Sequence, residues 1–229
     1  MKNQQGGFTL IEIAIVLVII GLLLGGVLKG QELITSARVR NMISQQDGIK
    51  AAYFGFLDRY RALPGDYSAA VGNIKGVATG NNGNGDGQIL DTATIKESIL
   101  VWDHLSKAGF INGSYEYSAT VADSNTPKNP YSGYLQLNYD NKYGDPAVAT
   151  TTVRHNLKTG NQVPVSILAE VDRKIDDGNP YGGSFQFSDY AASGAAPTAA
   201  DCVVPASGTT PAQWKISSEA SNCGGASIF

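Results

Sequence analysis

Four groups of residues in this chain have types and spacings that could do chemistry. The first is Gly6-Gly7-Phe8-Thr9-Leu10-Ile11-Glu12. A processing point at Gly6-Gly7 would lie in front of the apolar run that follows, whereas an ordinary secretory signal is cut behind it. Glu12 is the single charge between Phe8 and Leu28. The second group is Asn82-Gly83-Asn84-Gly85-Asp86-Gly87-Gln88-Ile89, which follows the first two-thirds of a calcium loop. Asn82, Asn84 and Asp86 would supply side-chain oxygens, and Gln88 its backbone carbonyl. The twelfth position is Ala93, which has no carboxylate, although Asp91 and Glu97 lie nearby. A Gly/Asn turn without metal suits the same residues. The third group, Asp172 to Pro180, offers Asp176 and Asp177 as a second candidate cation site. It also reads as a helix stop, with Asp177 or Asn179 closing a side-chain turn. The fourth is the cysteine pair, Cys202 and Cys223.

Other chemistries are poorly served. The chain has no Gly-rich phosphate loop opening a helix after a strand, and no Gly-x-Ser-x-Gly turn. His104 falls in an amphipathic segment where packing is the default, and His155 lies in a polar stretch beside Arg154. Two distant cysteines with only these histidines make a poor zinc set, and they lack the close spacing of a redox pair. A net charge of −3 and a pI near 5.3 give no basic footprint for nucleic acid. The expectation is therefore a protein that is not an enzyme.

The elements that must position these groups begin with the apolar run. From Phe8 to Leu28 there are 21 residues, a helix of about 31 Å, enough to cross a bilayer core. A carboxylate within it costs roughly 2.5–3.5 kcal/mol on insertion scales and calls for a partner. Gly21 and Gly25, then Gly26 and Gly30, form small-xxx-small pairs that let helix backbones approach closely in lipid. From Gln31 the pattern turns amphipathic, with Ile34, Val39, Met42, Ile43, Ile49, Tyr53, Phe56, Leu57 and Tyr60 mostly three or four residues apart. The helix is expected to reach about Leu63, where Pro64-Gly65 ends it.

Beyond it, residues 65–93 read as a Gly/Asn-rich loop. Ile95, Ile99, Trp102, Leu105 and Phe110 mark a helix starting near Thr92 or Thr94 and stopping at Gly109. Alternation predicts a strand over Ser132–Tyr139, and Pro164 to Asp176 reads as a second helix. A short strand over Ser184–Ser188 follows. The tail from Ala191 is rich in small residues and is expected to be held mainly by the cysteine pair.

Gly-Gly-Phe-Thr-Leu-Ile-Glu followed by a membrane-length helix resembles the class III leader of type IV pilins and type II secretion pseudopilins. The resemblance covers about the first 60 residues. It departs from many members at Lys29, where they carry proline, so any local unwinding on assembly would rest on Gly21, Gly25 and Gly26. The resemblance implies an α+β pilin-like fold: a leader at 1–7, a transmembrane half-helix at 8–28, an amphipathic half at 29–63, and a globular head at 64–229. It implies cleavage between Gly7 and Phe8 by prepilin peptidase, N-methylation of Phe8, and a role for Glu12 in assembly. The partners implied are further copies in a helical filament, the pilus or secretion assembly machinery, and the inner membrane. The head would be periplasmic before assembly, and the assembled filament extracellular or periplasmic. For a domain exported in this way, a Cys202–Cys223 disulfide is the natural reading. A different reading is a membrane-tethered, calcium-dependent adhesin that never polymerises.

Overall fold

The computed structural model describes residues 10–148 and 152–229, so Gly7 and Phe8 lie outside the described residues. The chain divides into two compact units, residues 1–38 and 39–229, and helix α1, Leu10–Tyr60, is continuous between them.

In the first unit, α1 leaves its apolar side chains exposed, Leu10 at 92% and Leu22 at 74%. It is long and apolar enough to cross a membrane by length and composition. Helix is the conformation that satisfies every backbone polar group within one segment, as lipid demands. Gly21, Gly25, Gly26 and Gly30 stay helical despite their poor propensity. A methyl group added at any of the four would meet nothing within 4 Å. These glycines therefore relieve no crowding within the described chain.

In the second unit, α1 buries Val39, Met42, Gln46, Ile49, Tyr53 and Phe56, alternately three and four residues apart. Ile34, placed on the stripe by periodicity, is 57% exposed and belongs to the first unit. The helix ends at Tyr60, three residues before the expected Leu63. Arg61 takes a left-handed φ of 53° while its N–H still bonds Leu57 O at 2.9 Å. Pro64 disfavours helical geometry at the residue before it.

A short helix α2, Ala70–Asn73, precedes α3, Glu97–Lys107. The latter starts a few residues later than Thr92 or Thr94, because Thr92 and Ile95 close a turn through Thr92 N–H to Ile95 O at 2.9 Å. Strand β1 is Gln136–Asp140, and its expected first residues are instead a turn. There Asn129 Oδ1 accepts from Tyr131 and Gly133 N–H at 2.7 and 3.0 Å, and Ser132 has a φ of 71°. β2 is Arg154–Lys158, α4 is Val165–Ile175 with Pro164 as its cap residue, and β3 is Phe185–Phe187. The tail contains α5 (Ala199–Cys202), β4 (Val203–Val204), β5 (Gln213–Trp214), a 3-10 turn (Ile216–Ser218) and β6 (Gly225–Ile228).

One antiparallel sheet has the order β1-β2-β6-β3, so the C-terminal strand is central. A second ladder joins β4 to β5. Gly225 is needed beneath Phe185, since a Cβ there would lie 2.4 Å from Phe185 Cζ. The core has two apolar clusters. Val39 and Met42 meet α4, Phe185, Phe187 and the disulfide in one; Ile49, Tyr53 and Phe56 meet Trp102, Leu105, Leu137 and Leu157 in the other. Gln46 lies on α1 between the two groups, 1% exposed, with neither amide atom hydrogen-bonded to the protein.

Candidate functional site

Glu12 sits in the first described turn of α1. The other candidate groups belong to the second unit.

The Gly/Asn loop is wrapped around two carboxylates. Asp66 Oδ1 accepts from Gly85 N–H at 2.6 Å and Asp86 N–H at 3.0 Å, and its Oδ2 from Gly87 N–H at 2.9 Å. Glu97 accepts from Asn84 N–H at 2.9 Å and Leu90 N–H at 3.0 Å. Gly85 and Gly87 make this possible with φ of 76° and 82°. Gly83 passes so close that a Cβ would meet Asp66 backbone at 2.2 Å. Asp86 completes a group of three carboxylates whose oxygens lie within 4.8 Å of one another. Burial pushes the carboxyl groups of Asp66 and Glu97 up, and the backbone N–H bonds oppose that shift.

The four loop residues named from the calcium pattern are tied into the loop by hydrogen bonds. Asn82 Oδ1 accepts from Val71 N–H at 2.9 Å. Asn84 exchanges bonds with Asp86: its Nδ2 donates to Asp86 Oδ2 at 3.0 Å, and its Oδ1 accepts from Asp86 N–H at 2.9 Å. Gln88 donates its N–H to Asp86 Oδ1 at 2.9 Å. Asp86 is thus brought to Asp66 and Glu97. Glu97 was legible as a nearby carboxylate; Asp66, directly after Pro64-Gly65, was not singled out. Three carboxylates so close offer hard oxygen ligands of the kind calcium takes. The five backbone bonds to Asp66 and Glu97 make them, in this geometry, staples that hold the loop.

The second acidic group gathers Asp172, Asp176 and Asp177. Asp172 is fully buried in α4, and its Oδ2 accepts from Trp214 Nε1–H at 2.7 Å. Burial pushes its carboxyl up to about 6, with the indole bond opposing and Asp176 and Asp177 adding to the shift. Asp176 Oδ2 accepts from Phe185 N–H at 2.9 Å and from Ser184 N–H. Asp177 Oδ1 takes Asn179 N–H at 2.8 Å, and Asn179 Oδ1 takes Tyr181 N–H at 3.1 Å. These are the side-chain turns anticipated for a helix stop. Asp172 was missed as a site residue because its role depends on Trp214, 42 residues away.

Cys202 and Cys223 are bonded, both fully buried, with Cα atoms 5.8 Å apart. Cys223 also exchanges backbone bonds with Val163, just before α4. The tail is therefore held by more than the disulfide: β6 enters the sheet and Trp214 is pinned to Asp172. His104 is a core residue. Its Nδ1 accepts from Gly65 N–H at 3.0 Å, so Nε2 carries the proton and donates to Asn81 O at 2.9 Å. His155 packs between Tyr139 and Tyr53, with ring centroids 4.8 and 5.9 Å away.

Residues 2–28 match the family described as the prokaryotic N-terminal methylation motif. No curated protein and no solved structure matches the chain. The long apolar N-terminal helix, followed by an α+β fold with a small antiparallel sheet, fits a membrane-anchored protein. The methylation motif at residues 2–28 is consistent with the class III prepilin leader of type IV pilins and pseudopilins.

Proposed function

We propose that the chain is a structural subunit of a type IV pilus-like filament. Prepilin peptidase cuts between Gly7 and Phe8, Phe8 is N-methylated, and the subunit polymerises through α1. The reading has no catalytic role. The observation that supports it most is the methylation motif at 2–28 running directly into α1, whose first half keeps its apolar side chains exposed. Such a surface needs lipid before assembly and other helices afterwards. The head then lies in the periplasm before assembly and on the filament surface afterwards.

The test is to shear fibres from cells that make the protein and identify the bulk subunit by mass. This chain as a major fibre component, with fibres lost on deletion, is the expected result. Retention in the envelope with loss of protein secretion on deletion would assign a pseudopilin instead. A mature chain that stays monomeric in the membrane would assign a tethered adhesin.

A further inference from the structure

Six steps in the chain place Asn or Asp directly before Gly: Asp47-Gly48, Asn82-Gly83, Asn84-Gly85, Asp86-Gly87, Asn112-Gly113 and Asp177-Gly178. At such a step the glycine nitrogen can attack the side-chain carbonyl carbon of the residue before it, because no Cβ stands in the way. The nitrogen must be free of its hydrogen bond, and the backbone must turn until the two atoms meet. A fold that holds the glycine N–H therefore blocks the reaction until that region opens.

Five of the six steps are held in this way. Gly48 lies inside α1, where the helical ladder takes its N–H. Gly83 N–H donates to Tyr67 O at 3.0 Å. Gly85 N–H donates to Asp66 O at 2.9 Å and to Asp66 Oδ1 at 2.6 Å. Gly87 N–H goes to Asp66 Oδ2 at 2.9 Å, and Gly178 N–H to Asp172 Oδ1 at 3.3 Å. Asp66, which staples the Gly/Asn loop, thus also protects its Asn84-Gly85 and Asp86-Gly87 steps.

Asn112-Gly113 is different. The chain is fixed before it by Phe110 and Ile111 N–H on Leu105 O, at 2.9 and 3.4 Å, and after it by Tyr115 N–H on Ser106 Oγ at 3.4 Å. Between those anchors Asn112, Gly113 and Ser114 are exposed and belong to no helix or strand. Among the described residues, nothing accepts from Gly113 N–H and nothing bonds the Asn112 amide. Gly113 has a φ of 111°, so the residue type that permits the attack is also the one this turn requires.

We infer that Asn112 is a site of spontaneous modification, where the side-chain amide becomes a carboxylate by way of a cyclic imide. Gly113 N forms a bond to Asn112 Cγ, the Cγ–Nδ2 bond breaks, and ammonia leaves with the proton from Gly113 N. Water then opens the ring at either carbonyl, giving aspartate or an isoaspartyl linkage. One carboxylate replaces one neutral amide, so the net charge goes from −3 to −4 (−3 minus one). Water is the only co-reactant, and the inference does not depend on whether the chain polymerises.

The experiment incubates the full chain in detergent at neutral pH and body temperature, and follows its peptides by mass over days to weeks. Amide-to-acid conversion at Asn112 is expected to run at least about tenfold faster than at Asn82 or Asn84, which need local opening first. In urea the three sites should convert at similar rates, because the bonds that protect two of them are gone. Asn112→Gln should remove the early acidic species from the folded protein, since the longer side chain closes its ring slowly. An Asn112 that stays unconverted in the folded chain would overturn the proposal, as would equal conversion at all three sites. The same preference for Asn112 in urea would show that local sequence, and not the fold, selects it, and would overturn it too.

Discussion

At the scale of single residues, two buried ionisable groups give the head opposite responses to acid. Burial holds the His104 imidazole below its usual range, and Nδ1 is already occupied by the Gly65 N–H. The unfolded chain then binds a proton more readily than the folded one, so stability is lost as pH falls below about 6.5. His104→Gln is expected to be less stable at pH 7.5 but to lose less of its stability between pH 7.5 and 5.5. Thermal melts across that interval check it, and an unchanged acid slope would refute the assignment. Asp172 runs the other way. Its carboxyl titrates at about 6 in the fold and near 3.9 when unfolded, so stability falls as pH rises across that window. Asp172→Asn keeps an acceptor for Trp214 Nε1 and removes the charge, at the cost of the longer 3.3 Å bond that Asp172 Oδ1 accepts from Gly178 N–H. It is expected to raise the melting temperature by a few degrees at pH 7.5 and to give no gain at pH 4.

At the scale of elements, the legible parts of the sequence are those whose burial follows a local period. α1 and α4 declare themselves by three- and four-residue spacing. The strands that close the sheet do not. Arg154-His155-Asn156-Leu157-Lys158 contains one aliphatic side chain in the core, and its Asn156 and Lys158 are buried against β1 and the 140 region rather than exposed. Gly225, in the strand Gly225–Ile228, carries no side chain because Phe185 needs the space, a demand set by a partner strand 40 positions earlier. Gln46 was likewise assigned no place on the buried stripe, since polarity suggests solvent. Its burial without a protein partner leaves a cost that an apolar side chain of similar volume would remove. Gln46→Leu is expected to stabilise the head by about 1–2 kcal/mol, measured by denaturant midpoint at constant slope. A loss of stability would show that the amide meets a need of its own. The disulfide was readable from two cysteines together with the export that the pilin resemblance implies, and its sequence separation of 21 fixes the loop it closes. The Cys202→Ser/Cys223→Ser double variant should lose about 3 kcal/mol, or roughly 6–12 °C, in a chain of this size. β6 and the Trp214–Asp172 bond keep the tail in place, so far-ultraviolet dichroism at low temperature should be unchanged.

At the scale of the whole molecule, the division between residues 38 and 39 separates the part of α1 whose apolar side chains are exposed from a unit with its own core. Glu12 belongs to the first of these. In the proposed filament, cleavage after Gly7 creates a positive amine on Phe8, which reaches the Glu12 carboxylate of an axially shifted neighbour. A water-poor filament interior strengthens such an attraction and makes mismatched charges costly. Glu12 then sets how far an incoming helix slides before both charges are neutralised. Glu12→Ala is expected to leave export, the Cys202–Cys223 bond and the head fold intact while the yield of sheared fibres falls at least tenfold. Glu12→Asp should retain part of that yield, because the charge survives on a shorter side chain. Comparing fibre-borne with membrane-borne subunit in each strain separates an assembly defect from poor expression. Normal fibre yield from Glu12→Ala would remove the registry role, and would leave the exposed apolar face and the glycine positions of α1 to set the stacking alone.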